Sequence, residues 1–192
     1  MVLAGFILLA ISAISPHYYT TWWLEILPIF IAVPILIATY KRYALTPLVY
    51  RLLFVHALIL MVGGHYSYAE VPLGFWMQDW FDFTRNHYDR IGHLAQGFVP
   101  AMLFRELLLR YTPLQPGKLL FFLVVSICLA ISASYELIEW AAAVILGQGA
   151  DAFLGTQGDI WDTQADMLMA LVGAVSAQLL LKKFQDKQLE LN

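Results

Sequence analysis

The sequence predicts an all-α fold: a polytopic transmembrane helical bundle of about six spans, with both termini cytoplasmic. Three observations predict it. Of the 192 residues, 60% are hydrophobic and only 13% are charged, against roughly 25% charged residues in soluble domains. Long apolar runs, most of them near the ~20 residues that a spanning helix needs, consume most of the chain. The lysines and arginines gather at the ends of these runs, and mostly at alternate ends. The whole chain, 1–192, reads as a single integral membrane domain.

The first run, Met1 to Ser15, is short and is ended by Pro16 and His17. No positive residue precedes it, so it reads as an uncleaved first span rather than as a signal peptide. The remaining spans are predicted over Trp23 to Tyr40, Thr46 to Gly63, Asp89 to Arg110, Lys118 to Gly147 and Thr163 to Leu181. Lys41 and Arg42 follow the second span, Arg110 and Lys118 bracket the connection after the fourth, and Lys182, Lys183 and Lys187 follow the sixth. Placing these on the inside turns three connections outward: Pro16 to Trp22, Gly64 to Tyr88, and Gln148 to Asp162. Tyr18, Tyr19, Trp22, Trp23, Trp76, Trp80, Trp140 and Trp161 fall near those outward ends, at the interfacial depth that amphipathic rings prefer.

The net charge of -3 provides no basic surface for nucleic acid. Cys128 is the single cysteine and lies in an apolar stretch, so neither an internal disulfide nor a thiolate zinc site can be built. No internal repeat is visible, which argues against an inverted-repeat transporter.

Polar chemistry collects in the second half. Asp82, Arg85, Asn86, Asp89, His93 and Gln96 recur at helical spacing and would share one face if the region were continuous helix. Asp82, Arg85 and Asp89 suit a surface ion-pair ladder equally well. Pro100 cannot donate to the carbonyl of Gln96, so a kink and a bare backbone oxygen are expected there. Glu136 and Glu139 stand one turn apart inside an apolar run. An isolated carboxylate in hydrocarbon costs at least about 2.5 kcal/mol, so this pair calls for cations, shared protons or a wet cavity. Asp159, Asp162 and Asp166 lead into the last span, where either of the first two suits an N-cap and Asp166 lies about a turn inside. Arg105 and Glu106, near the inward end of their span, are accounted for by snorkelling or local pairing. His65, Tyr66 and Tyr68 are placed either to cover the polar pocket or to pack at the interface, and His56 to pack mid-span.

Three helices therefore direct Asp89, His93, Glu136, Glu139, Asp162 and Asp166 towards the same outward third of the membrane. Carboxylates with one imidazole suit a divalent metal, Mg²⁺, Mn²⁺, Ca²⁺ or Zn²⁺. In that scheme His93, Glu136, Glu139 and Asp166 hold the metal. Asp162 or Asp89 serves as general base, and Arg85 or Arg90 clamps a phosphate. A metal-free network that includes Arg85 and Arg90, or a proton path, uses the same residues.

Three stretches carry a family resemblance: Arg85-Asn86-His87-Tyr88-Asp89-Arg90-Ile91-Gly92-His93, Tyr135-Glu136-Leu137-Ile138-Glu139-Trp140, and Gly155-Thr156-Gln157-Gly158-Asp159-Ile160-Trp161-Asp162. With them the chain resembles the YjdF-type family of bacterial inner-membrane proteins, a domain of unknown function. The resemblance implies a multi-pass protein of the bacterial inner (cytoplasmic) membrane, and it supplies no reaction. The functional expectation is a metal-dependent hydrolase or transferase whose partner is a membrane lipid, or a lipid-linked phosphate entering from the outer leaflet. The alternatives are a small proton- or ion-coupled carrier and a non-enzymatic membrane component whose polar network fixes helix register. For the carrier, Ser134, Ser132, Cys128 and Ser126 form a thin path between Glu136 and Lys118.

Overall fold

The computed structural model describes residues 2–146 and 156–190. Among them the chain is all helical. In order it forms α1 (Val2–Ser12), α2 (Tyr19–Thr39), α3 (Pro47–Tyr66), a 3-10 turn (Tyr68–Glu70), α4 (Pro72–Phe81), α5 (Tyr88–Tyr111), α6 (Lys118–Leu146) and α7 (Asp162–Glu190). Residues 148–155 of the predicted outward loop, with Asp151 and Gly155, lie outside the described residues. So do Met1 and Gly147, at the ends of two predicted spans.

Local chemistry explains several boundaries. Pro47 and Pro72 occupy the first positions of α3 and α4, where the missing N–H loses nothing and the fixed φ suits a helix start. Asp82 ends α4 in the left-handed region, with φ 55°. The predicted continuous helix from Asp82 through Gln96 is thereby broken: Asp82 is exposed and only Asp89, His93 and Gln96 belong to α5. Pro100 lies inside α5, which nonetheless runs unbroken from Tyr88 to Tyr111.

Four stretches are long and apolar enough to cross a membrane: Tyr19–Thr39, Pro47–Tyr66, Lys118–Ile145 and Asp162–Glu190. α1 is apolar and shorter, at 11 residues. α5 has 24 residues, or about 36 Å of helix, but it carries Asp89, Arg90, His93, Arg105, Glu106 and Arg110. It tolerates them because it is central. It packs chiefly against α7 and also against α6 and α3, while the outer helices expose Ile31, Ile35, Phe122, Leu137, Val144 and Leu180. Polar groups are thus turned inward and the apolar faces outward, as a lipid solvent requires.

Side-chain contacts fix the direction of each helix. Ser12 at the end of α1 accepts from Trp22 Nε1 near the start of α2 at 3.2 Å, and its carbonyl meets His65 Nδ1 at the end of α3 at 3.0 Å. Thr46, just before α3, bonds Glu106 near the end of α5, whereas Tyr88 at the start of α5 donates to Ile59 O of α3 at 3.0 Å. Arg105 reaches Gln185 of α7 at 2.8 Å, and Tyr135 of α6 faces His93 with ring centroids 6.2 Å apart. The direction therefore alternates through α1, α2, α3, α5, α6 and α7, and α5 and α7 run parallel.

Their crossing is built on glycine. A Cβ on Gly97 would come within 2.6 Å of the Ala170 carbonyl carbon, and one on Gly173 within 2.8 Å of Phe98 N. Ala170, Ala174 and Ala177 are fully buried along the same seam, so the two backbones approach as closely as small residues allow. Trp22 departs from the expected interfacial ring: it is buried, held by Ser12, while Trp23, Trp76, Trp80, Trp140 and Trp161 are exposed.

Candidate metal centre

The cluster is built on the two segments that precede α5 and α7. Asn86 is buried; its Oδ1 accepts from Tyr88 N–H and its Nδ2 donates to Val71 O, both at 3.0 Å. Gly74 makes room for it, since a Cβ there would collide with the Asn86 amide. The Asn86 backbone is then gripped by one side chain: its N–H donates to Gln157 Oε1 at 3.0 Å and its carbonyl accepts from Gln157 Nε2 at 2.8 Å. Gln157 and Gly158 adopt positive φ, 49° and 84°, and this turn delivers Asp159 and Asp162 to the start of α5.

Arg85 and Arg90 lie between these aspartates. Arg85 NH1 donates to Asp162 Oδ1 at 2.7 Å and to Asp159 Oδ2 at 3.1 Å. Arg90 NH2 donates to the same two oxygens at 2.7 and 3.2 Å, and Arg90 NH1 bonds Asp166 Oδ1. Asp159 also accepts the Trp161 N–H at 2.9 Å. That amide bond first, and then Arg85 and Arg90, hold its carboxyl below the ordinary 3.8.

One turn deeper, His93 is buried among acids. Its Nε2 lies 3.4 Å from Asp89 Oδ1 and 3.8 Å from Asp166 Oδ1. Its Nδ1 lies 3.0 Å from Gln96 Oε1 and 3.7 Å from Glu136 Oε1. Ligand atoms of Asp89, His93 and Asp166 all fall within 4.8 Å of one another, and the 3.4 and 3.8 Å separations from His93 Nε2 suit one ion about 2.0–2.2 Å from each atom. With Nδ1 engaged by Gln96, Nε2 faces two carboxylates, one of which also bonds Arg90, and either a ring proton or a cation between them satisfies this arrangement. Glu136 Oε1 is buried without a hydrogen-bond partner among the described residues. Glu139, one turn further along α6, is half-buried.

Of the predicted ligands, His93 and Asp166 share the tight group, Asp89 joins them, and Glu136 lines the other edge of the imidazole. Asp162, Arg85 and Arg90 form the adjoining ion-pair array. Glu25 was missed. It is buried in α2, accepts from Tyr135 OH at 3.1 Å, and has Tyr68 beside it. Tyr68 itself is wedged against Gly63 and Gly92, where a Cβ would strike its ring. The available signal was the one used for Glu136: a lone acid within an apolar span calls for a partner.

The profile of a family described as "Predicted membrane protein (DUF2238)" matches residues 1–187. The chain belongs to this family. It is 53% identical over 183 residues to the Inner membrane protein YjdF of Escherichia coli (strain K12), covering 95% of this chain and 88% of that protein. No solved structure matches it. This DUF2238 member is a membrane protein of the inner membrane, as its motifs led us to expect.

The DUF2238 chain has a second polar cluster at the opposite end of the bundle. Glu106 is fully buried and accepts from Thr46 N at 2.8 Å, Thr46 Oγ1 at 2.6 Å and Gln185 Nε2 at 3.4 Å, with Arg110 at 3.2 Å. Arg105 is buried, donating to Gln185 and, at 2.6 Å, to Asp186. These residues tie α3, α5 and α7 together across the bundle, which goes beyond the local pairing expected of them.

Proposed function

We propose that the protein is a metal-dependent hydrolase or transferase acting on a lipid or lipid-linked phosphate, with a divalent ion held by Asp89, His93 and Asp166. The observation that carries this reading is the His93 ring, its Nδ1 engaged by Gln96 and its Nε2 directed at two buried carboxylates. The excess of acid is compatible with it: Glu25, Asp89, Glu136, Glu139, Asp162 and Asp166 outnumber the guanidinium groups beside them, a surplus that a cation or protons held on the carboxyls must balance. A bound ion would polarise the phosphoryl oxygen and acidify a bound water. Asp89 would help hold the ion, and its carboxylate would be placed to take a proton as general base. Arg85 and Arg90 bind the phosphate by exchanging Asp159, the most exposed of the aspartates they contact. Asp162, bonded to both guanidinium groups, orients them.

The proposed topology has six crossings with both termini cytoplasmic. The alternation of α1, α2, α3, α5, α6 and α7 supports it, as does the position of Arg110, Lys118, Lys182 and Lys183 at the end remote from Asp89 and Asp162. The cluster then lies in the outer leaflet. The carrier reading fares worse. Between the two polar clusters the described interior is mostly apolar, with Val99, Ala101, Met102, Val124, Cys128, Ala174 and Ala177 buried and only Ser132 and Gln178 as buried polar groups among them, a poor lining for an ion path.

The test is phosphate release by purified protein from phosphatidic acid and from a polyprenyl diphosphate, with Mg²⁺, Mn²⁺ or Zn²⁺ and with a chelator. Release that needs the metal and disappears in folded Asp166→Asn and His93→Ala variants is expected. Release that survives both chelation and these substitutions would overturn the reading, as would no release from metal-loaded protein on either substrate.

A further inference from the structure

At the end of the bundle remote from the candidate metal centre, α5, α6 and α7 border an open cleft of about 610 Å³. Arg105, Lys118, Lys182 and Lys183 line it, against a single carboxylate, Asp186. The guanidinium of Arg105 is buried and fixed in place by Gln185 and Asp186. Lys118, Lys182 and Lys183 form no ion pair among the described residues. The floor is apolar, formed by Leu120 and Phe121. Gln178, Lys182 and Asp186 follow at four-residue intervals, so one face of α7 forms a wall.

We propose that this cleft holds the phosphate of an anionic phospholipid. Three features favour it. Cationic side chains converge on a concave space with only one acid to offset them, the composition of head-group pockets between membrane helices. The 29-residue α6 begins at Lys118 beside the cleft, adding its first-turn amide N–H groups and the positive end of a helix dipole to the lysines. The residues flanking the lining, Leu119, Phe122, Leu179 and Leu180, are exposed and apolar, a surface along which acyl chains can lie. That last feature favours a lipid over a free phosphate. The site is independent of the metal centre, from which the buried apolar layer separates it.

The test is thermal stabilisation of the detergent-purified full chain by dioleoylphosphatidylglycerol, by the zwitterionic dioleoylphosphatidylcholine and by glycerol 3-phosphate. The variants are Lys118→Gln/Lys182→Gln/Lys183→Gln and, on the same predicted membrane side but away from the cleft, Lys41→Gln/Arg42→Gln. Phosphatidylglycerol should stabilise the wild type and the Lys41/Arg42 variant alike. Its apparent affinity for the triple variant should fall roughly a hundredfold. Should the triple variant misfold, Lys182→Gln alone should weaken binding by about fivefold. Equal affinity in the cleft variants and the wild type overturns the site. Equal stabilisation by phosphatidylcholine overturns charge recognition, and equal stabilisation by glycerol 3-phosphate overturns the lipid as the ligand.

Discussion

Replacing Gly97 with alanine would set a methyl carbon 2.6 Å from the carbonyl carbon of Ala170, and nearer still to its oxygen. Ordinary van der Waals contact begins at 3.4 Å, so α5 and α7 must part by roughly 1 Å at this crossing, and the obstacle is backbone that cannot rotate away. Overpacking of this kind costs about 1–3 kcal/mol. The displacement also reaches the candidate metal centre, because His93 and Asp166 lie one helical turn from Gly97 and Ala170. It widens the 3.8 Å gap between His93 Nε2 and Asp166 Oδ1, and ligand positions tolerate only about 0.2 Å of error. The assay is thermal unfolding in mild detergent, followed by circular dichroism, with metal affinity measured by titration. Gly5→Ala is the control: its Cβ would meet Phe54 at an ordinary 3.7 Å, and alanine is the better helix former. Gly97→Ala should melt below the wild type and bind metal more weakly, with Gly5→Ala unchanged or slightly more stable. A Gly97→Ala protein that melts at or above the wild-type temperature refutes the close-crossing argument.

Gln96→Leu releases His93 Nδ1 without touching a proposed ligand, so metal affinity should fall about 10–100-fold while the melting temperature changes little; unchanged affinity removes Gln96 from the site. Thr46→Val deletes a 2.6 Å hydrogen bond to buried Glu106 and should cost about 2 kcal/mol in an unfolding titration. Asp159 has its carboxyl held below the ordinary 3.8 by the Trp161 amide and by Arg85 and Arg90. A depressed value in the folded state means that its contribution is present above 3.8 and lost as pH falls through the folded value. The melting difference between wild type and Asp159→Asn should therefore hold steady from about pH 8 to about pH 5 and fade below about pH 3. A difference that grows on acidification contradicts the pairing.

Much of the helical framework was legible because lipid imposes it: apolar runs of spanning length had to be helices, and the one-sided lysines gave their alternation. The acidic cluster was legible through the cost of burying Glu136 and Glu139. What escaped depended on tertiary neighbours. The break at Asp82 follows from how Asn86 docks on Gly74 and Val71, and no periodicity encodes that. Glu25 sits far along the chain from its partner Tyr135 and was one of few acids in the first half. Arg105 and Glu106 looked like end-of-span charges until α3 and α7 supplied Thr46 and Gln185. The choice of Asp89 over Glu139 in the tight group is set by the parallel packing of α5 and α7, which spacing along one helix does not reveal.

The most direct measurement is the metal content of gently purified, chelator-free protein, determined by elemental mass spectrometry beside a folded Asp89→Asn/Asp166→Asn variant. About one equivalent of a single divalent metal per chain is expected in the wild type and none in the variant. A wild-type protein that carries no metal and takes up none when titrated, or a variant that retains the full equivalent, would contradict a metal at Asp89, His93 and Asp166.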